Sequence, residues 1–177
     1  MSDTAPPKAR KTPARRRKPA AKKTTEGATP VAEAAPQAPS VEAGDAPVAL
    51  IRVPLSVRWR DLDAFNHVNN SKYLSYLEEA RLRWMLGVPG QGLDDHVAPV
   101  VAAAHLNYRR PIEWPAEVDI ELFVERLGNT SVSIGHRIVD AHDETVLYCD
   151  GNVVMVWCDR GPGRAAELPV AVREACS

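Results

Sequence analysis

Hydrophobic and polar residues begin to alternate at residue 52, after a long stretch without such a pattern. Over residues 52–60 the odd positions hold Val, Leu, Val and Trp, whereas the even positions hold Arg, Pro and Ser. A period of two residues predicts a β-strand with one buried face. Pro54 cannot donate a hydrogen bond to a neighbouring strand, which favours an edge position for this strand.

A single long helix is predicted over residues 71–86, where apolar residues recur every three or four positions. Glu79 and Arg83 form a favourable charged pair one turn apart on the opposite face. Gly87 suits the C-cap, and Pro89 stops the helix. The apolar face is wide, as expected for a helix that is covered on more than one side; it comprises Tyr73, Leu74, Tyr76, Leu77, Ala80, Trp84 and Met85.

Four further strands are predicted after the helix, at residues 97–107, 116–126, 132–140 and 146–158. The first of them is apolar and is predicted to be buried, whereas Gly151 in the last is a candidate β-bulge. Pro169 suits the first position of a short C-terminal helix. Short turns between strands force antiparallel neighbours, so the one long helix must be covered by a curled antiparallel sheet, an α+β architecture.

The first 49 residues differ in composition from the rest of the chain. Residues 1–25 hold nine Lys and Arg against one acid, and residues 1–49 contain no Leu, Ile or aromatic residue. Such a segment cannot bury enough apolar surface to offset the entropy lost on ordering. We therefore expect a disordered tail, followed by one domain over residues 50–177. The basic run suits contacts with polyanions, although a solvated tail without a fixed partner is the simpler expectation.

The sequence also disfavours several classes of protein. It has no run of about 18 apolar residues and no apolar core of a secretory signal, so we expect neither a membrane span nor export. The three cysteines form no CxxC pair, which argues against a disulfide framework or a zinc site and favours a cytoplasmic protein. The histidines lack metal-binding spacing, and neither a GxSxG elbow nor a phosphate-binding glycine loop occurs.

One motif carries candidate chemistry. Residues 61–81 read DLDAFNHVNNSKYLSYLEEAR and lead directly into the predicted helix. This segment resembles the hotdog thioesterases of the 4-hydroxybenzoyl-CoA thioesterase type, and among them the long-chain acyl-CoA thioesterase branch. The segment RRPIEWPAEVDIELFVERLGNTS at residues 109–131 is similar to the same family, and the resemblance spans about residues 52–160. It implies an antiparallel sheet wrapped around one long central helix, a homodimer or homotetramer, and hydrolysis of acyl-CoA to a free acid and CoA without metal or other cofactor.

The resemblance places the site in the loop before the helix. Asp63 aligns with the family's catalytic aspartate, and Asn70 falls where a backbone N–H is expected to bind the oxyanion. Tyr73 aligns with a recurrent tyrosine that orients the site or lines the acyl pocket, and His67 is placed to hydrogen-bond the site. A lone carboxylate can attack a thioester or activate water, and N–H groups at a helix start are ready donors to an oxyanion. Both roles for the carboxylate stay open.

Other residues compete for the catalytic role. Asp61 is interpreted as a turn residue. A related hotdog branch uses a glutamate on the helix, which makes Glu78 and Glu79 rivals, although they lie roughly 12 Å along the helix axis from Asn70. The family often places the nucleotide near a turn at a subunit interface, and Arg suits bidentate phosphate contact. The candidates for holding CoA are the turn residues Arg126, Asn129, Thr130 and Ser131, together with Arg109 and Arg110.

Alternatives to acyl-CoA hydrolysis come from different classes. A non-catalytic acyl-CoA-binding hotdog protein would not need Asp63, so the presence of this residue favours an enzyme. Residues 51–177 carry 13 Lys and Arg against 18 Asp and Glu, a net charge of −5, which disfavours an acidic carrier protein as the acyl donor. A third alternative makes the basic tail the main feature, with nucleic acid or membrane as its partner. In the enzyme, the helix face and residues 97–104 are expected to line the acyl pocket.

Overall fold

The computed structural model describes residues 48–93 and 96–177. The predicted tail at residues 1–49 lies outside the described residues, except for its last two positions. Its expected disorder and its contacts with polyanions therefore stay predictions. The first strand begins at Ala49, next to the predicted domain boundary.

The described residues form one five-stranded antiparallel sheet, one long helix and one short C-terminal helix. The strand order is β1-β3-β4-β5-β2, so β1 and β2 are the two edges. This arrangement confirms the predicted α+β hotdog fold. The elements are β1 (Ala49–Ser56), α1 (Asn70–Gly87), β2 (Val97–Tyr108), β3 (Glu117–Leu127), β4 (Ser131–Asp140), β5 (Leu147–Asp159) and α2 (Val170–Ala175), with short 3₁₀ turns at Trp59–Asp61 and Pro89–Gly92.

The core lies between α1 and one face of the sheet. Every second residue of β4 from Val132 to Ile138 is buried on this face, as is every second residue of β3 from Val118 to Leu122. Each fully buried aliphatic side chain contributes roughly 1.5–3 kcal/mol, so this layer holds the helix on the sheet. Leu74, which was predicted for the apolar face of α1, is 44% exposed, whereas the other predicted residues are buried, namely Tyr73, Tyr76, Leu77, Ala80, Trp84 and Met85.

The prediction that residues 97–107 form a buried strand is wrong. The strand exists as β2, but it is an edge strand, and residues 100–105 are all exposed. Val100 and Val101 are 51% and 47% exposed, respectively. An apolar sequence is typical both of a strand buried in its own chain and of a strand covered by another molecule, and periodicity does not separate the two.

The predicted bulge at Gly151 is also wrong. The irregularity between β4 and β5 falls at Tyr148, because Ile138 pairs with Cys149 and Val139 with Leu147. Gly151 is required for another reason: its φ is +151°, and a Cβ there would lie 1.9 Å from the carbonyl oxygen of His105 on β2. The backbones of β5 and β2 approach too closely at this point for any side chain.

The C-terminal end of α1 and the N-terminal end of α2 differ slightly from their predictions. Gly87 is the last residue of α1, and the cap that follows it is Val88. Pro169 is the N-cap residue of α2 and has an extended backbone, so it precedes the first helical position that was predicted for it. Arg173 of α2 donates hydrogen bonds to the carbonyls of Gly128 and Asn129, which fixes the turn between β3 and β4.

Candidate active site

The loop between β1 and α1 is a closed hairpin. Its base is the hydrogen bond from the N–H of Asn69 to the carbonyl of Asp61, at 2.9 Å. Leu62 and Val68 pair above this base, and the N–H of Asp63 donates to the carbonyl of His67 at 2.7 Å. The turn formers of the sequence thus build a compact loop of nine residues, 61–69, with Asp63 in its first half.

A second backbone contact docks the hairpin on the rest of the domain. The N–H of Val68 donates to the carbonyl of Ile112 at 2.8 Å, and His67 forms a bridge with Glu113. Val68 and Ile112 are both buried. The segment that follows β2 therefore sets where the hairpin sits relative to the sheet.

Asp63 is exposed and is oriented by the hairpin itself. Its Oδ1 accepts hydrogen bonds from the N–H of Phe65 at 2.8 Å and from the N–H of His67 at 3.2 Å. No hydrogen bond or ion pair occupies its Oδ2 among residues 48–93 and 96–177. One carboxylate oxygen is therefore held by the backbone, while the other is available to a substrate or a water molecule.

The helix α1 starts directly after the hairpin. Asn69 is its N-cap, and its Oδ1 accepts from the N–H of Ser71 at 2.9 Å. The N–H of Asn70 belongs to the first helical turn, where no intrahelical acceptor exists. None of the residues that the structure describes accepts its hydrogen bond. Asn70 thus offers a backbone donor at the positive end of the helix dipole.

Tyr73 forms the inner wall of the site. It is buried, and its ring packs edge-to-face on Tyr108 of β2 with centroids 5.1 Å apart. Burial raises the pKa of Tyr73 to about 12, so this phenol is neutral and does not act as a base near neutral pH. Tyr108 in turn donates to the carbonyl of Asn70 at 3.3 Å, which connects β2 to the start of α1.

These residues line one open cavity of about 260 Å³. The four residues that the sequence singled out for catalysis, Asp63, His67, Asn70 and Tyr73, all contribute to it. The segment that leaves β2 closes the other side and brings two arginines to the wall. The remaining lining residues are Val68, Tyr108, Arg109, Arg110 and Pro111.

His67 contributes its backbone more than its imidazole. Its N–H and carbonyl both bond to Asp63, as described above, while the ring Nε2 lies 3.8 Å from Oε1 of Glu113. Both side chains are substantially exposed. The main chain of His67 thus hydrogen-bonds Asp63, the ring stands at the cavity wall, and a direct role for the imidazole stays a prediction.

Asp61 lies in a turn, as the sequence predicted, but its side chain is only 1% exposed. Its Oδ2 accepts from Nε of Arg58 at 2.8 Å and from the hydroxyl of Tyr76 at 2.9 Å. Burial would raise the pKa of Asp61, but the hydrogen bonds from Arg58 and Tyr76 outweigh it and hold the pKa below its usual value. Nothing in the local sequence distinguishes this aspartate from Asp63, since its partner Tyr76 is 15 residues away.

The rival glutamates do not reach the cavity. Glu79 pairs with Arg83 on the outer face of α1, and Glu78 is exposed. Neither residue lines the cavity that holds Asp63. The residues predicted to act with Asp63 therefore line one cavity, and both glutamates lie outside it.

Arg109 and Arg110, which the sequence offered for phosphate binding, differ in their partners. Arg109 is bound by both carboxylate oxygens of Asp150, at 2.9 and 3.1 Å. For Arg110 no carboxylate lies within 4.0 Å among the described residues. Its charge adds, after the hydrogen bonds from Thr145, to the lowering of the pKa of Asp143.

The other predicted CoA residues, Arg126, Asn129, Thr130 and Ser131, lie at the far end of the sheet. They surround the turn between β3 and β4, whereas the hairpin follows β1 at the opposite end, where Ser56 pairs with Glu117. β4 has 10 residues and joins the two ends. At about 3.3 Å per residue, the ends are roughly 30 Å apart. One chain therefore does not bring this turn to Asp63.

A larger open cavity of about 650 Å³ lies beside the first and shares only Pro111 with it. Its walls carry the carboxylates of Glu113, Glu117 and Asp140, and none of the predicted site residues. Negative walls repel an anionic substrate such as CoA, so volume alone does not identify the site.

Neither a metal centre nor a membrane-spanning helix occurs within residues 48–93 and 96–177. No three His, Cys, Asp or Glu side chains in these ranges lie close enough together to hold a metal ion. No helix in this part of the chain is both long and apolar enough to cross a membrane.

Comparison with solved structures finds close relatives of the same fold. A candidate acyl-CoA thioesterase from Xanthomonas campestris is 60% identical, with a TM-score of 0.61 over 67% of this chain and 98% of the other. A thioesterase from Thermus thermophilus, solved in complex with coenzyme A and Zn, is 34% identical, with a TM-score of 0.61 over 72% of this chain and 92% of the other.

Comparison of sequences agrees with the structural matches. The long-chain acyl-CoA thioesterase FadM of Escherichia coli (strain K12) is 28% identical over 133 residues, which cover 70% of this chain and 95% of the relative. The family model of the thioesterase-like superfamily matches residues 57–176. This match spans the hairpin, both helices and strands β2 to β5, and the protein therefore belongs to the thioesterase-like superfamily.

Proposed function

We propose that this protein hydrolyses acyl-CoA thioesters to a free acid and CoA, with Asp63 as the catalytic carboxylate. The observation that carries the proposal is that Asp63, His67, Asn70 and Tyr73 line one cavity. The two named relatives and the CoA-bound neighbour support CoA as the thiol carrier. The three cysteines are free in the structure, which fits a reducing compartment, so the cytoplasm is the proposed location.

The proposed reaction needs only this chain's residues and water. Asp63 removes a proton from a water molecule, whose oxygen adds to the thioester carbonyl carbon, and the carbonyl oxygen becomes an oxyanion. The N–H of Asn70 donates to that oxyanion; removing such a donor typically costs on the order of 10²–10³ in rate. The tetrahedral intermediate then breaks its C–S bond. The leaving thiolate belongs to a thiol with a pKa of about 8.5, so it departs with little acid assistance. The thiolate then takes up the proton held by Asp63, which restores the carboxylate.

Direct attack by Asp63 is the alternative first step. Its carboxylate oxygen would displace the thiolate and form a mixed anhydride, which water then hydrolyses to regenerate the carboxylate. A single turnover in ¹⁸O-labelled water separates the two routes. Attack by Asp63 leaves ¹⁸O in its carboxylate when water cleaves the anhydride at the aspartyl carbon, whereas the general-base route places ¹⁸O only in the product acid.

The test of the proposed function is thiol release from acyl-CoAs of graded chain length, comparing the wild type with Asp63→Asn. We expect kcat to fall on the order of 10²–10⁴-fold, because a positioned base is lost while the shape is kept. The matched control is Asp143→Asn. Asp143 is likewise an exposed aspartate whose Oδ1 holds a turn, through the N–H and hydroxyl of Thr145. This control should leave kcat unchanged.

Two results would contradict the proposal in different ways. Unchanged turnover in Asp63→Asn would exclude Asp63 as the catalytic carboxylate and leave the rivals Glu78 and Glu79, which lie outside this cavity, to be tested in its place. A wild type that binds acyl-CoA but releases no thiol from any chain length would favour the non-catalytic acyl-CoA-binding protein.

The proposed CoA contacts of the β3–β4 turn require a second copy of the chain. The arm of CoA from sulfur to the diphosphate has about 14 bonds, or about 16 Å when extended at roughly 3.5 Å per three bonds. That is short of the roughly 30 Å between the hairpin and turn ends of one sheet. The exposed apolar edge strand β2 supports a homodimer that covers it.

These contacts have their own test. Arg126→Met should raise KM for acyl-CoA but not for the matching acyl-pantetheine, which lacks the nucleotide and phosphates. Val100→Lys places a charge on the β2 edge and should shift the protein toward the monomer in sedimentation. A monomeric wild type, or an Arg126→Met effect of equal size on both substrates, would rule out this arrangement.

A further inference from the structure

The base of the catalytic hairpin contains a buried ionised carboxylate that the proposed reaction does not use. Asp61 lies two residues before Asp63, but it is 1% exposed and absent from the cavity lining. Its position excludes direct contact with a thioester in that cavity. A charged group is costly to bury unless partners compensate for it, so its presence here calls for a role.

The main chain of Asp61 closes the hairpin. Its carbonyl accepts from the N–H of Asn69, the residue that caps α1, and its N–H donates to the carbonyl of Arg58, each at 2.9 Å. Asp63 follows Asp61 closely along the chain, and Asn70 directly follows Asn69. Any displacement at the base of the hairpin therefore moves both Asp63 and the N–H of Asn70, the two groups that the proposed reaction uses.

The side chain of Asp61 joins this base to the inside of α1. Oδ2 accepts from the hydroxyl of Tyr76, which is itself 1% exposed and lies six residues into the helix beyond Asn70. The guanidinium of Arg58, on the strand side, donates to the same oxygen. The contact runs from the end of β1, through Asp61, to the second turn of α1.

We propose that Asp61, through Tyr76 and Arg58, is the positioning residue that fixes Asp63 and the N–H of Asn70 relative to one another. This role rests on the proposed function, because it concerns the same site. The attacking group and the oxyanion donor must be held in register with the thioester carbonyl, and a displacement of about 1 Å can cost on the order of 10²-fold in rate.

The principal test removes one hydroxyl. Tyr76→Phe keeps the buried ring but cuts the bond between Asp61 and α1; we expect kcat to fall by about 10-fold with KM changed by less than about twofold. Tyr148→Phe is the matched control, because the hydroxyl of Tyr148 also donates to a carboxylate, Asp140, at 2.9 Å, and its side chain lines the other cavity. The control should lower the melting temperature similarly and leave kcat unchanged.

A second variant tests the same contact by changing its other partner, Asp61. Asp61→Asn keeps the shape and an acceptor for Tyr76 but removes the charge that Arg58 pairs with, and it should also lower kcat rather than raise KM. The effects of Asp61→Asn and Tyr76→Phe should be less than additive in the double variant, since both act through one contact.

The outcomes separate this role from the proposed function. An active wild type whose Tyr76→Phe variant keeps its kcat, while losing as much melting temperature as Tyr148→Phe, overturns the positioning role alone. A wild type without turnover on any acyl-CoA overturns the proposed function and this role with it. A fall in kcat for Tyr76→Phe, absent in the control, supports both.

Discussion

Asp61 and His136 are each 1% exposed, but their surroundings are opposite. Asp61, at the base of the hairpin, receives hydrogen bonds from Arg58 and Tyr76. His136, in the middle of β4, has no hydrogen-bond partner on either ring nitrogen among the described residues. Burial lowers the pKa of His136 to about 4, with the charge of Arg81 adding to the effect, so it is neutral, whereas Asp61 stays ionised.

The comparison shows that burial alone does not decide the charge of a side chain. Donors placed around Asp61 replace the water it lost, and the ion is retained. No such groups surround His136 in the described part of the chain, and the neutral form is what the interior tolerates. The nearby acid Asp150, which would favour the charged form, already has Arg109 and Asn107 as partners. The interior beneath the hairpin therefore holds an ionised side chain, Asp61, whereas the interior at the middle of β4 holds a neutral one, His136.

The largest expected effect comes from adding a side chain in the tightly packed space next to His136. Gly151→Ala would place a Cβ 1.9 Å from the carbonyl oxygen of His105 and 3.1 Å from Nε2 of His136. We expect the free energy of unfolding to fall by about 4 kcal/mol from overpacking and backbone strain. Urea denaturation measures it. The control Gly163→Ala, which has a φ of +66° and open space around it, should cost only about 1 kcal/mol.

The next effect concerns the pH dependence that His136 imposes. Its pKa is about 4 in the folded state against 6.5 ordinarily, so below pH 6.5 the unfolded chain binds the proton first. Stability is therefore fully present above pH 6.5 and declines as the pH falls toward 4, by about 3 kcal/mol at roughly 1.4 kcal/mol per pKa unit.

The variant His136→Leu should lose this part of the pH dependence. Arg81, His105 and Asp150, the neighbouring titratable groups, remain in place. The comparison of the two proteins by urea denaturation at pH 7.5 and pH 5 isolates the imidazole. Equal slopes with pH in both proteins would mean that His136 titrates normally.

A smaller effect is expected from removing the bonded carboxylate. Asp61→Ala leaves the buried hydroxyl of Tyr76 without its acceptor and should cost about 2 kcal/mol. Asp63→Ala, which alters an exposed side chain, should cost about 0.5 kcal/mol. Because the pKa of Asp61 is lowered, its contribution is present above the ordinary value of 3.8 and is lost as the pH falls below it. Similar losses for both alanine variants at pH 7 would contradict the assigned burial.

The smallest effect sets the baseline for exposed charges. Glu79 and Arg83 form a pair on the outer face of α1, as the sequence predicted. Glu79→Ala should cost about 0.3–0.5 kcal/mol, and less in high salt. Thermal unfolding at two salt concentrations is sufficient to measure it. A cost as large as that of Asp61→Ala would show that surface charge pairs matter as much as buried ones here.

The sequence was sufficient for the elements because each is determined by local spacing. The alternation in β3 and β4 and the helical spacing in α1 predicted strands and helix within one or two residues of their observed ends. The motif around Asp63 was also local, so its residues were found to share one cavity. In each case the information lies within a few positions along the chain.

The sequence was insufficient where the deciding contact is distant. The buried contact of Asp61 was missed because its partner Tyr76 lies in another element. Residues 97–107 looked buried because an apolar strand carries no mark of being an edge. Gly151 looked like a bulge, although the cause of the glycine is the backbone of His105 on a neighbouring strand. Spacing along one strand holds no information about the strand beside it.

The closed hairpin has a consequence for the order of folding. Its base joins Asp61 to Asn69, so closing it orders only a short segment, and hairpins of this size form in about 1–10 μs. The bond that docks it, from Val68 to Ile112, closes a much longer loop that contains α1 and β2, and the entropy lost on closing that loop is larger. The local geometry around Asp63 should therefore form before the hairpin docks on the sheet. Hydrogen exchange should detect the N–H of Asp63 as protected earlier during refolding than the N–H of Val68.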